Sequence, residues 1–379
     1  MRVLHIVAVV AADGGYGGPT RVAVNQAREL ARLGNEVTLI ATEEGLGPGS
    51  RSFERVPVTL FRRRRIPRVG YAGTWSIALW WWVIRNIGTF DAVHIHMSRD
   101  LVTLPSAVVA LIGRTDFVVQ CHGMVVPKRS AAVRFFDRFV TARLLSTATR
   151  VLCLNDEEVR RVRQLSPDAK AMVVPNGVPD TSIVRNLTVV PDKPEVLFLA
   201  RLHRRKRPEL FAQAAAVLLN DEVSARFRVV GPDEGAGAEV DLVVEEFVAN
   251  GGDATDLARE PAVAAAEVLD RLAVADVYVL PAEDEPFGMS VVEACSTGVP
   301  VIVMRDCGLA PFVERNRCGL VVDDATPAAL ADAIRALLDD PRAAEEMGRR
   351  GREGVSREFS MAAIGRQLGE CYSVASLSG

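Results

Sequence analysis

Short apolar strands alternate with amphipathic helices along this sequence, and the alternation occurs twice. The first run begins with RVLHIVAVV (2–10) and ends with AMVVP (171–175), and the second begins with EVLFLA (195–200) and extends past GLVV (319–322). Strands that are apolar throughout belong to parallel sheets covered by helices on both faces. The pattern predicts an α/β chain with two Rossmann-like, doubly wound parallel-sheet domains facing an interdomain cleft.

A stretch rich in Pro, Asn and Asp, NGVPDTSIVRNLTVVPDKP at 176–194, separates the two runs and has the composition of a linker. A chain of 379 residues is too long for one ordinary core, and its 49% of apolar residues can fill two. We therefore predict an N-terminal domain at 1–182 and a C-terminal domain at 183–358.

Bulk properties narrow the class of protein. Six cysteines show no paired spacing, which predicts reduced, buried thiols in a cytoplasmic protein. The N-terminus is better explained as a first strand than as a secretion signal, and no apolar run is long enough to span a bilayer. Residues 1–180 carry 24 Lys and Arg against 15 Asp and Glu. This basic half favours an anionic substrate or membrane, because no nucleic-acid-binding motif accompanies it.

Two loops that follow apolar strands offer positive charge or free amides. The first, 13–19, holds four glycines including Gly15, but Thr20 replaces the glycine that a dinucleotide fingerprint needs. It is either an anion-binding loop or a flexible turn. In the second, LARLHRRKRPEL, Arg201 and Lys206 follow the strand directly. This pair suits a diphosphate, and the alternative is a solvated basic loop.

A third loop, EDEPFGMSVVEACSTGVPVI at 283–302, places Glu285 before a Phe-Gly turn and Glu293 inside the helix that follows. The first amides of that helix can hold phosphate. The two carboxylates would repel a phosphate, so hydroxyl groups are their expected partners. Stabilisation of the helix dipole explains Glu293 as well, but not Glu285.

The ordered set of motifs resembles the retaining family 4 glycosyltransferases, which have the GT-B fold. It comprises GGPTRVAVNQARELARLGNEVTLIAT, FDAVHIH, QCHG, VPNGV, ARLHRRK, VVGPD and the E-x7-E motif from Glu285 to Glu293. The resemblance implies a hexosyltransferase with an acceptor-binding first domain and a donor-binding second domain. It also implies that the last segment, 359–379, returns to the first domain.

For the donor, the resemblance implies that Glu293 binds the ribose hydroxyls of a nucleotide sugar and that Glu285 contacts the transferred sugar. Phe287, Gly288 and Met289 present backbone groups to sugar and phosphate. The segment ATDLAREPAVAAAEVL (254–269) lacks the glycine turn on which the family stacks its base. The choice between UDP and GDP or ADP therefore stays open.

For catalysis, the resemblance implies that Arg201 and Lys206 hold the diphosphate, with Gly15 beside it from the first domain. His122 faces the sugar near the reacting carbon. Together with Glu285, these residues transfer the sugar with retention of configuration and without a metal or cofactor. Expected partners are a UDP- or GDP-sugar and a glycan, lipid-linked or small-molecule acceptor. The alternatives are a nucleotide-sugar epimerase and a non-catalytic nucleotide-sugar-binding protein.

Two further features have less specific explanations. His94 and His96 share one face of a strand, but no acid completes a ligand set, so no metal site is predicted. The segment 61–85, FRRRRIPRVGYAGTWSIALWWWVIR, combines arginines with four tryptophans, which is typical of a protein bound to an anionic membrane surface. The alternative is an ordinary helix with solvated arginines. Membrane binding would make the protein peripheral on the inner face of the membrane and its acceptor lipid-linked.

Overall fold

The computed structural model describes residues 1–12, 17–53, 55–125, 127, 130–185 and 192–376. The chain forms two compact units, one from Met1–Pro179 with Ser360–Gly379 and the other from Asp180–Phe359. The sequence-based boundaries were 182/183 and 358/359. The acceptor- and donor-binding roles assigned to the two domains stay predictions.

The first unit is built on a sheet of eight strands in the order β10-β9-β8-β7-β1-β2-β4-β3. Its strands are β1 (Arg2–Ala11), β2 (Glu36–Glu44), β3 (Gly49–Phe53), β4 (Val56–Arg62), β7 (Ala92–His96), β8 (Phe117–Gln120), β9 (Arg150–Cys153) and β10 (Ala171–Val173), with a separate two-stranded ladder of β5 (Arg64–Arg65) and β6 (Thr74–Trp75). Its helices include α1 (Gly17–Arg32), α2 (Ile77–Asn86), α3 (Thr103–Ile112), α4 (Ala131–Phe136), α5 (Ala142–Thr147) and α6 (Asp156–Leu165). β1, β7 and β8 are buried along nearly their whole length, as their apolar sequences predict.

Three local details differ from the prediction for the first unit. β3 runs antiparallel to β4, so the sheet is not wholly parallel at this edge. The GSRSF sequence of β3 has one apolar residue and therefore gave no strand pattern. The amphipathic pattern predicts a helix at 75–88, but α2 begins only at Ile77, because Trp75 lies in β6 and pairs with Arg64 of β5. The same pattern predicts one helix at 131–146, but a π-helical turn, Asp137–Thr141, lies between α4 and α5.

The second unit contains a sheet of six parallel strands in the order β13-β12-β11-β14-β15-β16. The strands are β11 (Glu195–Leu199), β12 (Arg226–Val230), β13 (Leu257–Glu260), β14 (Val277–Leu280), β15 (Val301–Met304) and β16 (Gly319–Val322). The helices are α7 (Pro208–Asn220), α8 (Gly237–Ala249), α9 (Val268–Ala273), α10 (Met289–Ser296), α11 (Ala310–Asn316), α12 (Pro327–Asp339) and α13 (Pro341–Glu358). Counted from β11, this is the 3-2-1-4-5-6 order of a Rossmann sheet.

The last helix, α14 (Met361–Ser376), packs on the first unit, as the resemblance implied. Ile364, Leu368 and Tyr372 are buried on one face of α14 and join the core formed by α1, β1 and β2. All six cysteines are buried and free, which confirms the predicted reduced thiols. Within the described ranges, no helix combines the length and the apolar character needed to cross a bilayer.

Glycines at every third position let α13 approach its neighbours closely. Gly348, Gly351 and Gly354 are buried on the same face of α13. A Cβ atom added at Gly348 would lie 2.0 Å from the carbonyl oxygen of Gly298, a backbone atom that cannot turn away. A Cβ at Gly351 would lie 3.2 Å from the Cβ of Cys318. The close packing of α13 therefore requires residues without side chains.

Gly348→Ala is expected to destabilise the second unit by about 1–3 kcal/mol, because the added methyl group forces α13 away from Gly298. Gly369→Ala in α14 is the matched control, since a Cβ there meets nothing within 4 Å. The control is expected to be neutral or to stabilise by about 0.5–1 kcal/mol, because Gly is a poor helix former. Differential scanning calorimetry compares the two variants, and equal shifts of both would contradict the close-packing argument.

Candidate functional site

The strand order of the second unit brings two of its loops side by side. The order reverses between β11 and β14, and these neighbouring strands run parallel. Loops on either side of such a reversal form a crevice at the carboxyl ends of the strands, where ligands bind in open α/β sheets. Arg201 and Lys206 follow β11, and Glu285 follows β14. The topology thus explains why these predicted site residues meet.

The ammonium group of Lys206 pairs directly with the carboxylate of Glu285. Their side chains are 19% and 13% exposed, so water reaches the pair only in part. The Glu285 backbone is also held, because its carbonyl oxygen accepts a hydrogen bond from the Gly308 amide at 2.7 Å. The carboxylate that the sequence placed beside a phosphate site is therefore neutralised by the lysine of the same site.

Arg201 lies at the same edge of the sheet and is paired differently. Its Nη1 atom donates to both carboxylate oxygens of Glu234, at 3.0 and 2.8 Å. The two side chains are 55% and 32% exposed, and exposed pairs of this kind contribute little to stability. Gly231 permits this arrangement, since a Cβ there would lie 1.9 Å from the carbonyl oxygen of Ala200.

The predicted helix start after Glu285 is present. Gly288 adopts a left-handed conformation (φ 85°) and α10 begins at Met289. Phe287 is buried ahead of this turn, and Glu293 is 6% exposed in the second turn of the helix. The first amides of α10 carry partial positive charge, which favours an anion there.

Tyr278, a residue that sequence reasoning missed, contacts the first turn of α10 through its hydroxyl group. It is fully buried in β14, and its hydroxyl lies 2.6 Å from Ser290 Oγ and 3.1 Å from the Leu199 carbonyl oxygen. Burial raises the pKa of the Tyr278 phenol, so it stays protonated. The tyrosine links the end of β11 to the first turn of α10. One Tyr within an apolar strand gives no sequence pattern for such a role.

A pocket of about 490 Å³ opens at the ends of β12 and β13. Its lining includes Asp233, Asp241, Arg259 and Glu260. The charges are compensated within the unit: Arg259 contacts Asp233 at 3.2 Å and Asp241 at 2.5 Å. The segment that lacks the expected glycine turn thus forms part of a pocket wall.

In the first unit, His122 sits in a tightly held turn after β8. It has a left-handed backbone (φ 51°), which is uncommon for a residue with a side chain, and Gly123 follows with φ 73°. The Gly123 amide donates to Glu158 Oε1 at 2.5 Å, and the Leu154 amide donates to Glu158 Oε2 at 2.7 Å. The buried carboxylate of Glu158 therefore fixes the turn that presents His122.

An ion pair also supports this turn. Arg99 donates to the two carboxylate oxygens of Asp137 at 2.9 and 2.8 Å, and to the Met124 carbonyl oxygen at 3.2 Å. Asp137 opens the π-helical turn between α4 and α5, so the turn and that helix are joined through Arg99. Sequence reasoning found neither Arg99 nor Glu158, because each acts through a residue distant in sequence.

Four histidines cluster beside this turn. His5 Nδ1 lies 3.0 Å from His96 Nε2, His96 Nδ1 lies 2.8 Å from His122 Nε2, and His94 Nδ1 lies 2.7 Å from the Tyr372 hydroxyl. The rings of His94 and His96 stack at 4.4 Å between centroids, which confirms that they share one face of β7. Burial lowers the pKa of His5 and of His122 to about 3, and lowers the pKa of His94 and His96 well below the usual range.

The predicted site residues fall in both units. The second unit holds Arg201, Lys206, Glu285, Phe287, Gly288, Met289 and Glu293, and the first holds His122. The structure pairs Lys206 with Glu285 and leaves Arg201 on Glu234. Gly15, the remaining predicted donor contact, lies outside the described residues.

Comparison with known protein families agrees with the two-unit fold described above. Residues 16–182 match the family described as Glycosyltransferase Family 4, and residues 180–354 match the family described as Glycosyl transferases group 1. The chain belongs to the group 1 and family 4 glycosyltransferases. The two matches meet at 180–182, beside the boundary between the units.

Curated proteins similar to this chain include two that are named D-inositol 3-phosphate glycosyltransferase. One, from Kineococcus radiotolerans, is 33% identical over 232 residues, which are 55% of this chain and 53% of the relative. The other, from Paenarthrobacter aurescens, is 33% identical over 163 residues, which are 42% of this chain and 39% of the relative. The matched segments thus span about half or less of the relatives' own length.

Solved structures share the fold of this family member over nearly its whole length. Sucrose-phosphate synthase from Thermosynechococcus elongatus superimposes with a TM-score of 0.77 at 20% identity and covers 100% of both chains. HepE of Anabaena in complex with UDP has a TM-score of 0.78 at 17% identity and covers 98% of this chain and 100% of its own. The chain therefore has the GT-B fold with two Rossmann-like domains.

The buried histidines predict that acid destabilises the first unit. In the unfolded chain they take up protons below about pH 6.5, whereas the folded unit keeps His5 and His122 neutral down to a pKa of about 3. Stability is therefore lost as the pH falls through this window, at up to about 1.4 kcal/mol per pH unit for each histidine. All four tryptophans (75, 80, 81 and 82) lie in this unit, so their fluorescence during urea unfolding reports on it.

His94→Phe removes one of these groups while keeping a ring of similar size. Asp100 and Glu158, whose pKa values are raised by burial, titrate equally in both proteins. The variant is expected to lose less stability than the wild type between about pH 7 and pH 5. Identical pH dependence in both proteins would contradict this prediction, because it would mean that His94 takes up its proton equally in the folded and the unfolded chain.

Proposed function

We propose that the protein is a retaining hexosyltransferase that moves a sugar from a UDP- or GDP-sugar to a hydroxyl group of its acceptor. The observation that carries this proposal is the Lys206–Glu285 pair, set beside the first turn of α10 and near Arg201 at the switch point of the second unit. Two cations and a helix N-terminus suit a diphosphate, and a carboxylate suits sugar hydroxyls. Membership in the family supports the same reaction class.

The site supplies the charges that sugar transfer requires. As the bond between the anomeric carbon and the diphosphate breaks, negative charge grows on the leaving oxygen and positive charge on the sugar ring. Preorganised donors stabilise such charge well, and loss of one commonly costs about 10²–10³ in rate. Lys206 and the amides of α10 are held in place before the donor binds. Arg201 exchanges Glu234 for phosphate at little cost, because exposed ion pairs are weak.

The remaining contacts follow the family pattern. Glu293 binds the ribose hydroxyls, and Glu285 binds hydroxyl groups of the transferred sugar. Backbone groups from Phe287 to Met289 contact sugar and phosphate, and His122 contacts the sugar near the reacting carbon. No side chain in this set is placed as a nucleophile, which favours a reaction in which acceptor and leaving group share one face of the sugar. No metal takes part, because the cations already neutralise the leaving group.

The pocket at the ends of β12 and β13 is the proposed place for the nucleotide base. It is large enough for a nucleobase and follows the strands that neighbour β11. A solved GT-B structure, HepE of Anabaena, is described in complex with UDP and with UDP-glucose, which favours uridine over guanosine here. Thermal-shift measurements with UDP, GDP and ADP test this choice.

For the acceptor, the names of the curated relatives favour a small polyol phosphate among the glycan, lipid-linked and small-molecule alternatives. The basic character of residues 1–180, with 24 Lys and Arg against 15 Asp and Glu, agrees with an anionic acceptor. We assign acceptor binding to the first unit.

Incubation of the purified protein with a panel of nucleotide sugars, in the presence of EDTA, tests the proposed reaction. Slow hydrolysis of one donor without acceptor, unaffected by EDTA, is the expected result. Release of an epimerised sugar would indicate the epimerase alternative, and tight binding without turnover would indicate the non-catalytic alternative. Activity that EDTA abolishes and a divalent cation restores would contradict metal-independent transfer.

Lys206→Ala is expected to weaken binding of the nucleotide diphosphate about 10- to 100-fold, because a charge-assisted bond of about 1.5–3 kcal/mol is lost. Lys193→Ala is the matched control: Lys193 also pairs with a carboxylate of the same unit, at 2.6 and 2.7 Å from Asp256. Glu293→Gln is expected to weaken binding of the complete nucleotide but not binding of inorganic diphosphate, because the diphosphate has no ribose hydroxyls. Calorimetric titration measures all three, and unchanged affinity in Lys206→Ala and Glu293→Gln would refute the site.

We also propose that the face of α2 binds an anionic membrane surface. Ile77, Trp81 and Ile84 follow each other at helical spacing and are 50%, 55% and 56% exposed. The guanidinium of Arg85 lies 5.1 Å from the Trp81 ring centroid. Residues 61–85 contain no acid, which suits anionic lipid headgroups.

Several residues of the segment 61–85 do not contribute to the exposed face of α2. Arg63 and Arg65 pair with Glu44, so their charge is partly compensated. Trp80 and Trp82 pack against the core, and the Trp80 indole donates to the Leu101 carbonyl oxygen at 2.8 Å. The membrane proposal therefore concerns one exposed tryptophan and its apolar neighbours rather than all four.

Trp81→Ser is expected to weaken co-sedimentation with phosphatidylglycerol-containing vesicles by about tenfold or more, since a large apolar side chain no longer enters the interface. Leu242→Ser is the control, because Leu242 is equally exposed (63%) but lies on α8 of the second unit. Vesicles of phosphatidylcholine alone are expected to bind neither variant nor wild type. Equal binding of Trp81→Ser and wild type would contradict the assignment.

A further inference from the structure

Neighbouring helices of the first unit share one outer surface. Residues of α2, α3 and α5 belong to the same hydrophobic core, so these helices cover the same face of the eight-stranded sheet. α3 packs against both α2 and α5. The π-helical turn Asp137–Thr141 joins α4 to α5 without a break, and we call 131–147 the α4–α5 segment. The solvent-facing sides of α2, α3 and this segment together are named the outer helical face.

The α4–α5 segment is inverted relative to an ordinary surface helix. Its one acid, Asp137, is 3% exposed, pairs with Arg99 and accepts a hydrogen bond from the Thr141 hydroxyl. Phe135 and Phe139 are 69% and 59% exposed, and their ring centroids lie 4.7 Å apart. A helix on a water-exposed surface normally turns its acids outward and its aromatic rings inward. The opposite arrangement here indicates an apolar partner outside the segment.

The charge on the outer helical face has one sign. The sequences of α2 and α3 contain no Asp or Glu, and Asp137 of the α4–α5 segment is buried. Within these described helices, no acidic side chain is therefore exposed. The basic residues do face solvent: Arg85 is exposed on α2, and Arg134, Arg138 and Arg143 are exposed on the α4–α5 segment. The face is thus purely cationic, which favours an anionic partner.

Large apolar side chains are exposed on every helix of this face. They are Ile77, Trp81 and Ile84 of α2, Ile112 of α3, and Phe135, Phe136 and Phe139 of the α4–α5 segment. A single exposed apolar residue is ordinary, but several on adjacent helices, with basic and no acidic neighbours, mark an interaction surface. α6, the next helix of the chain, does not continue the pattern, because it begins with the exposed acids Asp156 and Glu157.

We propose that the outer helical face docks on an anionic lipid bilayer through the α4–α5 segment, with Phe135 and Phe139 inserted among the lipids and the arginines on the headgroups. Buried phenyl rings and guanidinium groups beside anionic headgroups both favour this contact. A second copy of this chain is disfavoured, because a symmetric dimer would bring arginines against arginines. The inference goes beyond the α2 contact proposed above, which concerns one tryptophan, and it does not depend on the proposed reaction.

Dye labelling of the full chain tests the contact directly. All six cysteines are buried, so a cysteine introduced on the surface is labelled selectively by an environment-sensitive dye. With vesicles that contain phosphatidylglycerol, the dye on Phe135→Cys is expected to shift its emission to the blue and to be quenched by nitroxide-labelled lipids. Leu242→Cys, at a position 63% exposed in the second unit, is the control and is expected not to respond. A dye on Phe135→Cys that does not respond would overturn the proposal.

Co-sedimentation with the same vesicles separates the apolar from the charged contribution. The double variant Phe135→Ser/Phe139→Ser is expected to bind about tenfold more weakly or worse. Leu242→Ser/Val274→Ser is its matched control, since both leucine and valine are 63% exposed in the second unit. Changing Arg134, Arg138 and Arg143 to Gln is expected to weaken binding by about fivefold for each arginine and to reduce its dependence on salt. Unchanged binding in either set would refute the proposal.

The remaining outcomes separate this inference from its neighbours. Binding that is lost in Trp81→Ser but kept in Phe135→Ser/Phe139→Ser would confine the membrane contact to α2 and refute the inference; the reverse result would support it and refute the α2 contact. A wild type that sedimentation velocity shows to be a dimer, and that the phenylalanine variant dissociates, would make the face a subunit interface and overturn the proposal. Donor hydrolysis without vesicles is expected to be equal in the phenylalanine variant and the wild type, so failure of docking leaves the proposed function standing.

Discussion

The ion pair between Lys206 and Glu285 is the interaction on which the site in the second unit depends. Strand order places the loops after β11 and β14 next to each other, and the pair joins them. A carboxylate at the proposed phosphate site would be unfavourable alone, but its charge is balanced by the lysine that is proposed to bind the phosphate. Because Tyr278 and Gly308 fix the same loops, the charges are in place before a ligand arrives. Such preorganisation is what stabilises a leaving group efficiently.

The sequence predicted those parts of the structure that depend on residues close to one another in the chain. Apolar strands and the turn at Gly288 gave the two sheets and the start of α10, since period and glycine placement depend on near neighbours only. The edge strand β3 escaped prediction because GSRSF carries one apolar residue. Pairings across the fold, such as Glu158 with the turn of His122, had no local signature at all. The loops that carry the candidate site residues were therefore predictable, and the groups that hold those loops were not.

The first unit carries an unusual concentration of buried polar rings. His5, His94 and His96 are at most 2% exposed within a sheet whose buried residues are mostly apolar. Burying polar groups weakens a core unless they find hydrogen-bond partners. Here His5 and His96 bond to each other, His96 also bonds to His122 at a strained turn, and His94 bonds to the Tyr372 hydroxyl. Strain and buried polarity at one place are common where a protein fixes a functional group. Contacts from His96 and from Glu158 thus meet at the turn that carries His122.

A crystal structure of the protein with an intact nucleotide sugar, grown in the presence of EDTA, tests the central claim most directly. The account predicts that the diphosphate lies against Lys206, Arg201 and the first amides of α10, with no metal ion on the phosphates. It also predicts that Glu285 faces the hydroxyl groups of the sugar. A diphosphate bound away from the start of α10, or one that binds only with a divalent cation, would contradict it.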